Sequence, residues 1–165
     1  MDLLKDPSTL LFCPKTESTK MKIQFQKVNA SNHELKIIRA NNTTESTILH
    51  TNTYLLHDIC HYFVEKELNT LDGFWGMLSH GYRIEQLFGK TNQLTKKLRI
   101  IECIVGATQS VYSNHMDETG FWNYIQTVDF KLTDNNFLEK AVPQISQFMT
   151  QWNYMPAGQT TTLHF

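Results

Sequence analysis

The sequence predicts an α+β domain: a small antiparallel β-sheet, an N-terminal three-strand meander plus a C-terminal strand, packed against a bundle of helices. Three observations predict it. Residues 22–50 alternate apolar and polar in three short runs separated by Asn-rich turns. From residue 54 to residue 152 the apolar residues instead recur at helical spacing. The last six residues, Thr160 to Phe165, alternate again and are rich in β-branched threonine.

Residues 1–20 carry Pro7, Pro14 and several Ser and Thr without periodicity, so they read as a loosely ordered arm before a single domain spanning 21–165. Lys22 to Val28 reads as the first strand, with Ile23, Phe25 and Lys27 on one face. Asn29 to Asn32 is a turn, Glu34 to Ala40 a second strand, Asn41-Asn42 a turn that exploits the tolerance of Asn for positive φ, and Thr43 to His50 a third strand. Three strands alone need a cover on one face. The helix expected over Tyr54 to Leu68, capped by Thr53, supplies it.

A short helix is expected from Phe74 to His80, ended by Gly81, after the turn Gly73-Phe74-Trp75-Gly76. The two glycines there permit close backbone approach while the rings anchor the turn, a packing role first and a ligand-binding one second. Asn92 to Tyr112 is the clearest helix, with Leu94, Leu98, Ile101, Val105, Thr108 and Tyr112 in one stripe. Lys96 and Arg99 lie off that stripe and Glu102 lies at its edge. Asp117 caps a helix bearing Phe121, Trp122, Tyr124 and Ile125, and a last helical region begins at Asn135, with Pro143 expected to kink or restart it. The strand Thr160 to Phe165 is expected to join the N-terminal sheet.

Chemistry concentrates in the Tyr54–Leu68 helix. His57, His61 and Glu65 are spaced four apart and form one ridge, with Asp58 one residue round the helix. Leu56, Ile59, Cys60 and Phe63 form the adjoining apolar stripe, so the histidines fall on its shoulder and Asp58 and Glu65 further round, toward solvent or a cleft. Two imidazoles in this register are a metal-ligand pattern, related to the His-Glu-x-x-His of zinc proteases with Asp58 in place of the glutamate. Aspartate is one methylene shorter, so Asp58 is either a base or an outer residue that fixes a histidine tautomer. The third ligand is Glu65 or Glu102, ranked above His80 and His115 because both acids sit at the margin of a core face. The set implies a divalent metal, zinc foremost and iron or manganese as alternatives. Its catalytic form is a small metal-dependent hydrolase. The competing reading is a non-catalytic interaction module in which the ridge is a structural polar network and the Phe74–Trp75 region or an open sheet edge meets a partner.

The pattern His57-Asp58-x-x-His61-Tyr62-x-Val64-Glu65, followed by Gly73-Phe74-Trp75-Gly76, resembles a family of small uncharacterised bacterial proteins over roughly Met21 to Phe165. That resemblance implies the fold outline and the importance of the motif, without a settled activity. The five residues His57 to His61 are also similar to the helical His-Asp-x-x-His of the coenzyme Q biosynthesis protein family, which is linked to zinc.

Composition excludes other classes. The chain has 165 residues, 41% hydrophobic and 12% aromatic, enough for one genuine core. A net charge of -1 with no basic block argues against nucleic acid or an anionic membrane as partner, leaving a small molecule or a protein. No apolar run reaches membrane-spanning length, and Leu10 to Phe12 is too short for a signal-peptide core. Cys13, Cys60 and Cys103 are odd in number and lack CxxC spacing, which suits a reducing, cytoplasmic setting. No Gly-rich phosphate loop or Gly-x-Ser-x-Gly elbow occurs, and Cys60 points to the core rather than serving as a nucleophile.

Overall fold

Alternation in the first fifty residues builds a meander, and the chain's last strand completes it. The computed structural model describes residues 20–88 and 95–165. Strands β1 (Lys22–Lys27), β2 (Asn32–Ile38) and β3 (Thr44–His50) pair antiparallel in sequence order. The terminal strand β4 (Thr160–His164) pairs antiparallel with β1, giving the order β3-β2-β1-β4. The expected arm, with Cys13 and Leu10 to Phe12, lies outside the described residues except at its last position.

Each strand sends alternate residues to one buried face. Ile23 and Phe25 of β1 and His33, Leu35 and Ile37 of β2 are fully covered, while Gln24, Glu34 and Lys36 face away from the helices. The second strand starts two residues earlier than its composition suggested, because Asn29 Oδ1 accepts the Ser31 and Asn32 N–H groups and closes the turn early. Asn42 takes φ 64°, as expected of that turn.

Helix α1 (Thr51–Glu67) lies on the covered face and is the centre of the domain, packed against β2, β3 and the helices α2 (Phe74–Ser79), α4 (Lys96–Tyr112) and α6 (Phe137–Tyr154). Two further helices, α3 (Ile84–Phe88) and α5 (Glu118–Ile125), complete the described architecture; the sequence pattern had not indicated α3. Every residue of α1 from Asp58 to Glu65 is buried. Asp58 and Glu65 were expected toward solvent or a cleft, and both are instead buried. The neighbouring helices close the side that a lone helical wheel leaves open. The Tyr62 hydroxyl donates to the His164 carbonyl at 2.9 Å, tying α1 to the terminal strand.

Two local expectations are corrected. Helix α1 starts at Thr51 with His50 as N-cap, and Thr53 contacts His50 Nδ1 rather than capping the helix. Pro143, expected to kink or restart the last helix, does not restart it: α6 runs through it continuously. Proline removes one N–H from the ladder. Here the apolar face from Phe137 to Trp152 holds both sides of it against the core. The first residues expected of α4, from Asn92, lie outside the described residues; Thr95 caps the helix by accepting the Leu98 N–H. The expected caps at Gly81 (φ 98°) and Asp117, which accepts the Gly120 N–H at 2.7 Å, are present.

One buried polar group at the sheet–helix junction sets an acid limit. His33 is fully buried, its Nδ1 3.2 Å from Thr51 Oγ1 and its Nε2 without a partner. Phe25 and Trp152 flank the ring. Burial penalises the imidazolium and lowers the pKa from 6.5 to about 4. The folded state then takes up the proton less readily than the unfolded chain, so the His33 contribution is present above pH 6.5 and is lost as pH falls toward 4. A shift of this size corresponds to about 3 kcal/mol. The difference in urea stability between the parent and His33→Leu is expected to change by that amount between pH 7 and 4. A pH-independent difference would contradict it.

Candidate metal centre

The site forms where α1 meets α4. His57 and His61 stand one turn apart on α1, their ring centroids 4.7 Å apart and nearly perpendicular. Glu102 reaches them from α4 with one carboxylate oxygen for each ring. Its Oε1 is 3.2 Å from His61 Nε2 and its Oε2 3.6 Å from His57 Nε2. One ligand atom from each of His57, His61 and Glu102 lies within 4.8 Å of the others, a group that could hold a metal ion.

A second layer fixes both rings. His57 Nδ1 is 3.1 Å from Gln109 Oε1, two turns along α4 from Glu102. His61 Nδ1 is 3.0 Å from Glu65 Oε1. An amide or carboxylate oxygen accepts, so each Nδ1 carries the proton in these contacts. In the neutral rings both Nε2 lone pairs therefore aim at the Glu102 carboxylate. Three acceptors converge with no donor among them, and only a cation reconciles them, either a proton on Nε2 or a metal ion. This outer layer of Nδ1 partners is the arrangement metal-ligating histidines ordinarily keep.

Separations agree with the chemistry of the donor set. Bonds of about 2.0–2.1 Å at tetrahedral angles place ligand atoms about 3.3 Å apart. The two imidazole–Glu102 separations, 3.2 and 3.6 Å, lie near that value, each to a different carboxylate oxygen, and the group as a whole closes to within 4.8 Å. His61 is 2% exposed at its side chain, whereas His57 and Glu102 are 37% and 33% exposed. The group is thus anchored in the core at His61 and open to solvent at its other two corners.

Glu65 was an expected ligand, and the structure places it outside the group, on the opposite nitrogen of His61. Its carboxylate is fully buried and accepts the Trp75 N–H at 3.2 Å and the Gly76 N–H at 3.0 Å as well. This explains the Gly73-Phe74-Trp75-Gly76 turn. A Cβ at Gly73 would fall 2.2 Å from Glu65 Cδ, and one at Gly76 2.2 Å from the Leu71 carbonyl oxygen. Both glycines let the backbone close over the carboxylate. Phe74 and Trp75 are buried, so this region is packing and not an exposed partner surface. His80 contacts the Gly76 carbonyl through Nδ1 and His115 is exposed; neither joins the group.

Asp58 is 1% exposed and its Oδ2 has no partner. Burial raises its pKa to about 7 against the opposing pull of His61 and His57. Burial by itself would lower His61, but hydrogen bonds to Glu102 and Glu65 outweigh it and raise the pKa to about 9. Burial would raise Glu102, and the two imidazoles beside it instead bring it down to about 2. Without a metal the cation between the rings is therefore a proton held on His61. Cys60, buried in the core, has its thiol pushed up to about 12 and does not serve as a nucleophile.

Gln109 is the site residue that sequence reading left without a role. The spacing of about two turns on one helix face was the available signal. No protein family, curated protein sequence or solved structure matches the chain. No helix among the described residues is long and apolar enough to cross a membrane.

Proposed function

We propose that the protein binds one divalent metal ion through His57 Nε2, His61 Nε2 and Glu102, zinc being the first candidate and iron(II) or manganese the alternatives. The observation that carries this reading is the convergence of three acceptors whose outer partners already occupy every other ring nitrogen. Glu65 and Gln109 orient the rings, and Glu65 also ties that orientation to the Trp75-Gly76 backbone. The exposed side, between His57 and Glu102, leaves room for water or a ligand. A bound ion there would supply Lewis acidity and an activated water, the chemistry of a small metal-dependent hydrolase. Asp58 is the candidate for proton handling, since it is buried within electrostatic reach of both rings and its Oδ2 is unpartnered.

The test is metal content by mass spectrometry on protein purified without a histidine tag. Near-stoichiometric metal is expected in the parent and none in the His57→Ala, His61→Ala double variant. His57→Ala alone, at a half-exposed position, guards against loss through misfolding. No metal in the parent, together with no thermal shift on adding zinc, manganese or iron(II), overturns the reading. At a ligand concentration 100 times Kd the shift should correspond to about 2.7 kcal/mol. Asp58→Asn should keep the fold and weaken metal binding, because it removes a negative charge that acts on both rings. Unchanged affinity, read by calorimetry, would remove Asp58 from the site.

A second reading rests on the same contacts. With a proton on His61, both of its ring nitrogens are satisfied by protein carboxylates. The cluster is then a structural network of an interaction module, as the sequence also allowed. Under this reading metal-free protein loses stability as pH rises from 6.5 through 9, because the folded pKa of His61 is raised, and added zinc restores nothing.

A further inference from the structure

Beside the candidate metal centre, α4 carries a depression of about 460 Å³ that Glu102 also lines. We infer that this groove receives a small molecule that directs an oxygen donor toward the ion and lays an uncharged, flat apolar group over Gly106. The inference rests on the metal reading above and names the kind of ligand that site would take.

Glu102, Gly106 and Ser110 are spaced four apart on α4 and so form one ridge. Gly106 is the gap in that ridge. A glycine inside a helix costs about 1 kcal/mol relative to alanine. Packing does not require it here, since a Cβ at Gly106 would meet nothing within 4 Å. This contrasts with Gly73 and Gly76, where a side chain has no space. The missing side chain at Gly106 leaves open space in the depression that Glu102 also lines.

The walls define the chemistry. Met116, after α4, and Tyr124, from α5, face the Gly106 gap, and Ala107 and Cys103 form the adjoining row. The Cys103 thiol lies beside the Tyr124 phenol and holds its pKa above the usual value. A thioether and a phenol ring form a polarisable surface suited to a flat group. Ser110 Oγ already donates to the Gly106 carbonyl at 2.9 Å and remains an acceptor. Among the described residues, no lysine, arginine or histidine lines the groove to pair with an anionic group away from the ion. The depression is shallow, so it would cover one face of a flat group rather than enclose it. An aryl or alkyl amide or ester, its carbonyl oxygen toward the ion, meets these conditions.

The experiment uses the full chain loaded with zinc and two probes with the same chelating head, acetohydroxamate and benzohydroxamate. Benzohydroxamate is expected to bind at least about tenfold more tightly, an advantage of the size that one buried apolar group provides. Gly106→Phe should abolish that advantage while leaving zinc stoichiometry and acetohydroxamate affinity unchanged. Tyr124→Ala, at an exposed position, should reduce it without altering zinc. A ring bearing a carboxylate should also lose the gain. Equal affinity of the two probes for the parent, or an advantage that survives both substitutions, overturns the groove assignment while the metal reading stands. Failure of the parent to bind zinc at all identifies the metal reading as the one at fault, and the groove assignment falls with it.

Discussion

Replacing Glu65 with alanine is expected to destabilise the protein by about 3–5 kcal/mol, the cost of breaking a buried charged network by removing one partner. Glu65 is fully covered, and its two oxygens serve three donors: His61 Nδ1, the Trp75 N–H and the Gly76 N–H. Alanine leaves all three without an acceptor in a place water does not reach, and each orphaned donor carries about 1–3 kcal/mol of desolvation. It also empties the space beneath Gly73. Glu65→Gln keeps the shape and one carbonyl oxygen, so it should retain part of the network and fall between parent and alanine. Urea unfolding of the three proteins in chelator measures this apart from any metal effect. A loss under about 1 kcal/mol for Glu65→Ala would mean that the donors find other partners and that the carboxylate does not organise the turn. In the metal-loaded protein the same substitution should also weaken affinity, because the His61 ring loses the contact that fixes its tautomer.

Gly76→Ala is expected to cost about 3 kcal/mol or more, at the upper end of overpacking effects. Its Cβ would sit 2.2 Å from the Leu71 carbonyl oxygen and 2.4 Å from the carbonyl carbon. The obstacle is backbone, so no rotamer change relieves it. Moving α2 away would break the Gly76 N–H bond to Glu65 Oε2 and the ring contacts of Phe74 and Trp75 with the core. Gly73→Ala meets the Glu65 side chain instead and should be milder in proportion to how far that carboxylate can yield. Gly106→Ala provides the opposite sign. With open space at its Cβ and a helical backbone, it should stabilise by up to about 1 kcal/mol. Thermal unfolding of the three alanine variants orders them, and a neutral Gly76→Ala would show that the turn is looser than its contacts imply.

Much of the fold was legible because local rules and tertiary demands agree. Alternation at Ile23, Phe25, Leu35 and Ile37 names the covered face of the sheet, and these side chains are fully buried. Asp117 and Gly81 act as the caps their types favour. The misread boundaries fall where a longer-range contact decides. Pro143 stays inside α6 because the core holds the helix on both sides of it, and α3 carries too little periodicity in five residues to announce itself.

At the site the division runs along the same line. Helical periodicity alone puts His57, His61 and Glu65 on one ridge and Glu102 at the edge of a core stripe. Periodicity describes one helix at a time, so it could not choose between Glu65 and Glu102 as the residue facing the imidazoles. Packing of α4 on α1 makes that choice. It sets Glu102 against both Nε2 atoms, turns Gln109 onto His57, and leaves Glu65 to the Trp75-Gly76 backbone. The same packing buries Asp58, which an isolated helix would expose, and so converts an ordinary surface acid into a carboxyl group with a pKa near 7. Residue type and spacing supply the ligands; the face on which a second helix lands decides which atoms meet and which are removed from water, because desolvation and convergence are properties of the packed interface and not of either helix alone.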